Sequence, residues 1–234
     1  MNFSNRTVLV TGASGNLGRA VAAAFTEQGA NLALVDRRRE KLEQTFGTEN
    51  ERRLFVTADL LDPEQVNAAV ASVIARYARI DVLCNIAGGF RMGAPVHETA
   101  DADWNFLFDV NARTLLHAVR AVVPRMIAAG GGRIVSVAAF AAQKGAAGMG
   151  AYVAAKSAVI RLTESMAAEL REKNINVNCV LPTIIDTPEN RAAMPKADPA
   201  RWVAPADLAA VVAFLGSDAA RAIHGAALPV TGLS

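Results

Sequence analysis

The feature that most constrains this chain is an alternation of two periodicities. Short, nearly continuous apolar or β-branched runs lie at residues 7–11, 31–36, 53–58, 81–86, 133–137, 175–181 and 226–230. Longer amphipathic stretches lie between them, at 16–28, 38–46, 63–77, 101–128, 152–173 and 205–216. The first set reads as strands covered on both faces, the second as helices. Strands alternating with crossover helices give a parallel, doubly wound α/β sheet, because parallel neighbours need long connections of one hand. Asp62 before Pro63 is a natural N-cap, and Pro205 also suits a first helical position. No linker, repeat or low-complexity tract breaks the pattern. Residues 1–234 are therefore expected to form a single domain of about seven strands with helices on both faces.

Composition narrows the partners. The chain is 52% hydrophobic and 20% charged, with a net charge of +2. That apolar content excludes disorder. So small a basic excess, without basic runs interleaved with aromatics, argues against nucleic acid. No stretch of about 18 apolar residues lacks a charge, and the polar start Met1 to Arg6 is not a signal peptide. A soluble cytoplasmic protein is expected. Cys84 and Cys179 sit in apolar runs and read as small buried fillers, not a disulfide. His97, His117 and His224 lack ligand-like spacing, so no metal is expected.

Ligands on such sheets bind beyond the carboxyl ends of the strands. The first strand runs directly into Gly12-Ala13-Ser14-Gly15-Asn16-Leu17-Gly18, where glycines recur every third residue and open a helix. Glycines here allow a tight turn and close approach of backbone to a pyrophosphate, and the helix N-terminus offers free N–H groups to it. This is the phosphate loop of a Rossmann-type dinucleotide fold. Asp36 ends the second strand, where a carboxylate accepts from the adenosine ribose and repels a 2′-phosphate. That favours NAD(H) over NADP(H). Arg37 and Arg38 point the other way, since an arginine can hold that phosphate.

Tyr152 and Lys156 stand four residues apart, on one side of a helix. A phenol near its usual pKa of about 10 is a poor proton shuttle at neutral pH. A cation beside it is expected to lower that value and make it a usable general acid or base.

Together these segments resemble the short-chain dehydrogenase/reductase family over nearly the whole chain. The residues that carry the likeness are Thr11-Gly12 with Gly15 and Gly18, Asp36, Asp59-Leu60, Asn85-Ile86-Ala87-Gly88, Asn111, Tyr152 with Lys156, and Pro182 with Thr187. The tail from Phe214 to Asp218, with His224-Gly225, also fits. The resemblance implies a hydride-transferring oxidoreductase with Tyr152, Lys156 and Asn111 as its catalytic residues. Asn111 would hold a water in a proton relay behind Lys156. Gly12, Ser14, Gly15, Asn16, Leu17, Gly18, Asp36 and Arg37 would take the adenosine and pyrophosphate half of the cofactor. Asp59 and Leu60 would flank the adenine, and Asn85, Ala87 and Gly88 would line the cofactor. Lys156 would also bind the nicotinamide ribose, and Pro182, Ile185 and Thr187 would frame the carboxamide.

The chain departs from the family's pattern in three places. Asn16 stands where a glycine is usual, and Thr183 where a glycine follows the proline. The catalytic serine, expected thirteen residues before the tyrosine, is Ala139, and Ser136 lies three residues too early. Loss of one such donor typically costs about 10²–10³ in rate. The quinonoid dihydropteridine reductases of this family keep the tyrosine and lysine and also lack the serine. Residues 12–18, 84–90, 148–150 and 181–191 resemble theirs, as do Met194-Pro195, Ala197-Asp198 and Trp202. Asn85, Asn111 and Asp59-Leu60 look instead like ordinary members. The expected substrate is a small carbonyl or a quinonoid imine. The alternatives are a ketone or alcohol dehydrogenase with Gln143, Lys144 or a water replacing the serine, and a nucleotide-binding regulator with vestigial chemistry.

Phe90, Ala139, Phe140, Gln143 and Met149 are expected to face the substrate, with Phe140 and Met149 placed to stack on a flat ring. Trp104, Phe106 and Phe108 read as packing. The long alanine-rich helices at 101–128 and 152–173 carry broad apolar faces, and in the family such helices pair across a two-fold axis. A homo-oligomer, tetramer or dimer, is therefore expected.

Overall fold

A computed structural model describes all of residues 1–234. Its seven strands are β1 (Thr7–Thr11), β2 (Asn31–Asp36), β3 (Arg53–Thr57), β4 (Val82–Asn85), β5 (Gly132–Val137), β6 (Ile175–Pro182) and β7 (Ala227–Val230). They form one all-parallel sheet in the order β3-β2-β1-β4-β5-β6-β7. The order reverses between β1 and β4, so the switch point falls where Thr11 lies beside Asn85. Thr11 reinforces it: its Oγ1 accepts from the Ile86 and Ala87 N–H groups at 3.1 and 3.2 Å, fixing the turn after β4.

Eight α-helices cover the sheet: α1 (Asn16–Glu27), α2 (Arg39–Phe46), α3 (Pro63–Tyr77), α4 (Asp101–Phe108), α5 (Thr114–Ala128), α6 (Gly150–Leu170), α7 (Pro188–Ala193) and α8 (Pro205–Leu215). Alternate strand residues feed two cores. Leu9, Leu83, Ile134 and Val177 pack under α3, α5 and α6. Val10, Val82, Val135 and Val180 pack under α1 and α8. This two-sided burial is why the strands lack polar alternation. Asp62 caps α3 as its sequence predicts, accepting from Glu64 and Gln65 N–H groups. Cys84 and Cys179 are both buried and unpaired.

One expected element is divided. The stretch 101–128 is not a single helix: α4 and α5 are separated by a π-helical turn at Asp109–Arg113. The cause is Asn111, whose amide bonds backbone outside its own turn and draws the chain around it. Short α7, within an expected loop, is also an addition. It starts on a Thr187 cap with Pro188 in its first turn. No helix is long and apolar enough to cross a membrane.

Candidate active site

A groove of about 660 Å³ opens at the switch point, within the size range of cofactor sites. Its floor is the turn after β1. Gly12 sits at φ +62°, and a Cβ there would stand 2.9 Å from the Ala87 Cα. A Cβ on Gly18 would fall 2.3 Å from the Gly12 carbonyl oxygen. Only glycine lets these three backbone segments meet, and the result is a cradle of free N–H groups at the start of α1.

Gly12, Ser14, Gly15, Asn16, Leu17, Gly18, Asp36, Arg37, Asp59, Leu60, Ala87 and Gly88 all line this groove. Asp36 is held in place: one carboxylate oxygen accepts from Ser14 Oγ at 2.5 Å and Ser14 N at 3.3 Å, the other from Arg37 N at 2.8 Å. Arg38 and Lys41 complete a cationic rim at the same end. Asn85, by contrast, is buried beneath the groove. Its amide donates to Ser136 Oγ at 3.3 Å, and its own oxygen has no partner. Pro182 is buried at the end of β6, while Ile185 and Thr187 stand on a lip beyond it.

Of the catalytic candidates, Lys156 and Asn111 meet beside Gly88 of the groove, and Tyr152 lies a turn away on α6. Tyr152 and Lys156 lie one turn apart on α6. Lys156 is only 5% exposed, and its Nζ donates to the Val137 carbonyl at 2.8 Å. Asn111 donates to the Gly89 and Leu107 carbonyls, each at 2.9 Å, and accepts from Gly89 N at 3.1 Å. Gly88 lies between the two: a Cβ there would stand 2.9 Å from Asn111 Oδ1 and 3.2 Å from Lys156 Nζ.

The electrostatics correct one expectation. Burial pushes the Tyr152 phenol up to about 12, against the expected lowering by Lys156. Burial also lowers the Lys156 ammonium to about 8. Desolvation acts on the phenol unopposed, and the ammonium is turned toward Val137.

On the substrate side, the Phe90 ring stands edge-on to Tyr152, with centroids 4.9 Å apart. Phe90 is 57% exposed, and its neighbour Arg91 is pinned by an ion pair with Asp103 and lies over the Phe106 ring at 4.3 Å. Met149 lines a small cleft against Tyr152. Ala139 is buried at the end of β5, followed by exposed Phe140 and Gln143 on a short 3₁₀ turn. Ser136 is fully buried and engaged by Asn85, so it cannot stand in for the missing serine.

Several groove residues escape a sequence reading. Leu61, Asp109, Val110 and Thr114 line the groove, and so does Phe106, read above as packing. Phe106 is 40% exposed. The available signal was Asn111, since a helix that brings one residue to the site brings its neighbours too. No group of three His, Cys, Asp or Glu side chains could hold a metal ion.

Residues 6–198 match the family described as short chain dehydrogenase. The chain is 35% identical to a D-threitol dehydrogenase of Mycolicibacterium smegmatis, covering 98% of this chain and 93% of that one. It is 30% identical to a 3-oxoacyl-[acyl-carrier-protein] reductase of Thermotoga maritima, covering 99% and 98%. Among solved structures, an NAD+-bound xylitol dehydrogenase superposes with a TM-score of 0.91 at 31% identity, covering 99% and 100%. A carveol dehydrogenase from Mycobacterium avium, in complex with NAD, gives 0.90 at 27% identity, covering 98% and 97%.

Proposed function

Because this chain belongs to the short-chain dehydrogenase family of oxidoreductases, we propose that it reduces an electron-poor carbonyl or quinonoid imine with NADH. The observation that carries this reading is the lone phenol of Tyr152. It stands edge-on to Phe90 and one turn of α6 from Lys156, with an alanine where a second hydroxyl donor would stand. A substrate that is already electron-poor accepts a hydride without that second donor, as a quinonoid dihydropterin would.

The groove fits a dinucleotide: its glycine cradle would hold the pyrophosphate and Asp36 the adenosine ribose. Bound there, the nicotinamide supplies or accepts the hydride. The protein supplies the rest. Tyr152, with its pKa near 12, holds a proton on Oη at neutral pH and donates it to the substrate heteroatom as charge develops there. Lys156, cationic below about pH 8, presents its ammonium beside Gly88 of the groove, where it would hold the nicotinamide ribose. Asn111 fixes the Gly88-Gly89 turn beside Lys156, and that turn leads into Phe90. The reverse steps oxidise an alcohol.

Ser14 and the Arg37 N–H anchor Asp36 as an acceptor for ribose hydroxyls, which supports NAD(H) over NADP(H). Leu115, Val119, Val123, Leu162 and Met166 of α5 and α6 line an apolar surface groove of about 330 Å³, which supports association of copies through this face. Two free thiols suit the reducing cytoplasm.

A second reading is an alcohol or polyol dehydrogenase. The names of the threitol and xylitol relatives favour it, and exposed Gln143 near Ala139 could supply the missing donor. NADH oxidation with freshly generated quinonoid dihydropterin, against ketones and ketoses and with NADPH in parallel, separates the two. Turnover of ketoses alone would overturn the first reading.

A further inference from the structure

We infer that the hydrogen bond between Asn16 and Glu189 is a latch across the cofactor groove, and that its opening sets the rate of dinucleotide exchange. The inference rests on the groove being a dinucleotide site, and it concerns Asn16, which lines that groove, and Glu189 on the segment after β6. Asn16 Nδ2 donates to Glu189 Oε2 at 2.7 Å across 173 positions of sequence.

Each wall is built to present its half of the bond. Asn16 is the first residue of α1, and Arg19 donates to its Oδ1 at 3.0 Å. That commits the amide oxygen to its own wall and turns the NH₂ group toward the other. Glu189 lies in the first turn of α7, on a lip that is braced internally. Arg191 grips Asp186 through two bonds of 2.6 and 2.8 Å, Asn190 Nδ2 donates to the Ile185 carbonyl at 2.8 Å, and Thr187 caps the turn. The base of the lip is tied to Val203 by two backbone bonds. Asn16–Glu189 is the one side-chain hydrogen bond that joins this lip to the glycine-loop wall.

The chemistry suits a latch that opens. The bond is charge-assisted, because hydrogen bonds within the turn and from Asn16, together with the charge of Arg19, hold the Glu189 carboxyl below the usual range. It is also solvent-exposed, so it is weaker than a buried pair. It crosses beside the α1 N-terminus, where a pyrophosphate would take the free N–H groups. A pyrophosphate seated on those N–H groups would lie next to the bond, so the bond is placed to open as the ligand enters or leaves. A glycine at position 16, the usual residue in the family this chain resembles, could not make the bond at all.

The test is stopped-flow measurement of NADH dissociation from the wild-type chain, Asn16→Ala, Glu189→Ala, the double variant and Glu189→Gln. Each alanine should speed dissociation about threefold to tenfold. The double variant should be no faster than either single, since both remove one bond. Glu189→Gln keeps an acceptor oxygen and should stay near the wild-type rate. Additive effects of the two alanines, or unchanged rates in both, would overturn the latch. Hydrogen exchange at residues 187–193 without cofactor gives an independent readout. Faster exchange in Asn16→Ala is expected, and unchanged protection would overturn the latch as well. A wild-type chain that fails to bind NADH would overturn the cofactor reading instead, and the exchange measurement would then decide the latch.

Discussion

Lys156 Nζ donates to the Val137 carbonyl at 2.8 Å, so the ammonium is anchored to the end of β5 and not to the phenol of Tyr152. Its proton is therefore set by burial. In the unfolded chain a lysine keeps its proton up to about 10.5, whereas this one loses it near 8 when folded. Between those values the unfolded chain binds more protons, so stability rises with pH through that window and the folded state is penalised below it. The expected activity has the opposite sign. Reduction that needs the Lys156 cation should decline as pH rises through about 8. A kcat profile from pH 6 to 10 checks this, and a flat profile would contradict a role for the charge.

The same residue predicts a trade between stability and function. Lys156→Met removes a buried cation and keeps most of its apolar stem. At pH 7 the variant should melt a few degrees higher, as about 1 kcal/mol gives in a chain of this size. Its turnover should fall by about 10² or more. Thermal melts beside steady-state assays read both effects.

Tyr152→Phe removes the proposed proton donor and keeps the ring that packs on Phe90. Turnover should fall by about 10³, within the range for loss of a general acid. NADH binding should persist, as a fluorescence titration would show. Retained activity would sink the proposed mechanism.

Ala139→Ser restores the absent hydroxyl at a buried position next to the mouth of the site. For a plain ketone the rate should rise by up to about 10². For a quinonoid substrate the change should be neutral or harmful. The ratio of the two rates, measured on one preparation, tells which class the site is built for.

Asp36→Ser should shift the cofactor ratio. Without its carboxylate, the rim of Arg37, Arg38 and Lys41 is left to face a 2′-phosphate. kcat/KM with NADPH relative to NADH should rise at least about tenfold. An unchanged ratio would remove Asp36 from cofactor selection.

Much of this was legible in the chain because it depends on local sequence. Strand and helix periodicity set the seven strands, with boundaries moved by one residue or so, and Asp62 capped α3 where Pro63 required it. The glycine cradle was legible too, since Gly12 and Gly18 answer to backbone sterics that no other residue satisfies. Other features depend on partners far away in sequence. The π-turn at Asp109–Arg113 exists because Asn111 finds Gly89. Asn85 looked like a groove residue, yet it lies below the groove because Ser136 is its register partner in the next strand.

The sequence by itself thus determined the fold and the switch point, and it supplied Tyr152 as the proposed proton donor. Those follow from periodicity, steric exceptions and functional-group type, which each residue carries with it. Only the tertiary structure decided the protonation of Tyr152 and Lys156, the entry of Phe106 into the groove wall, and the bond from Asn16 to Glu189. Desolvation and hydrogen bonding depend on which atoms surround a group, and that is fixed only when distant segments pack together.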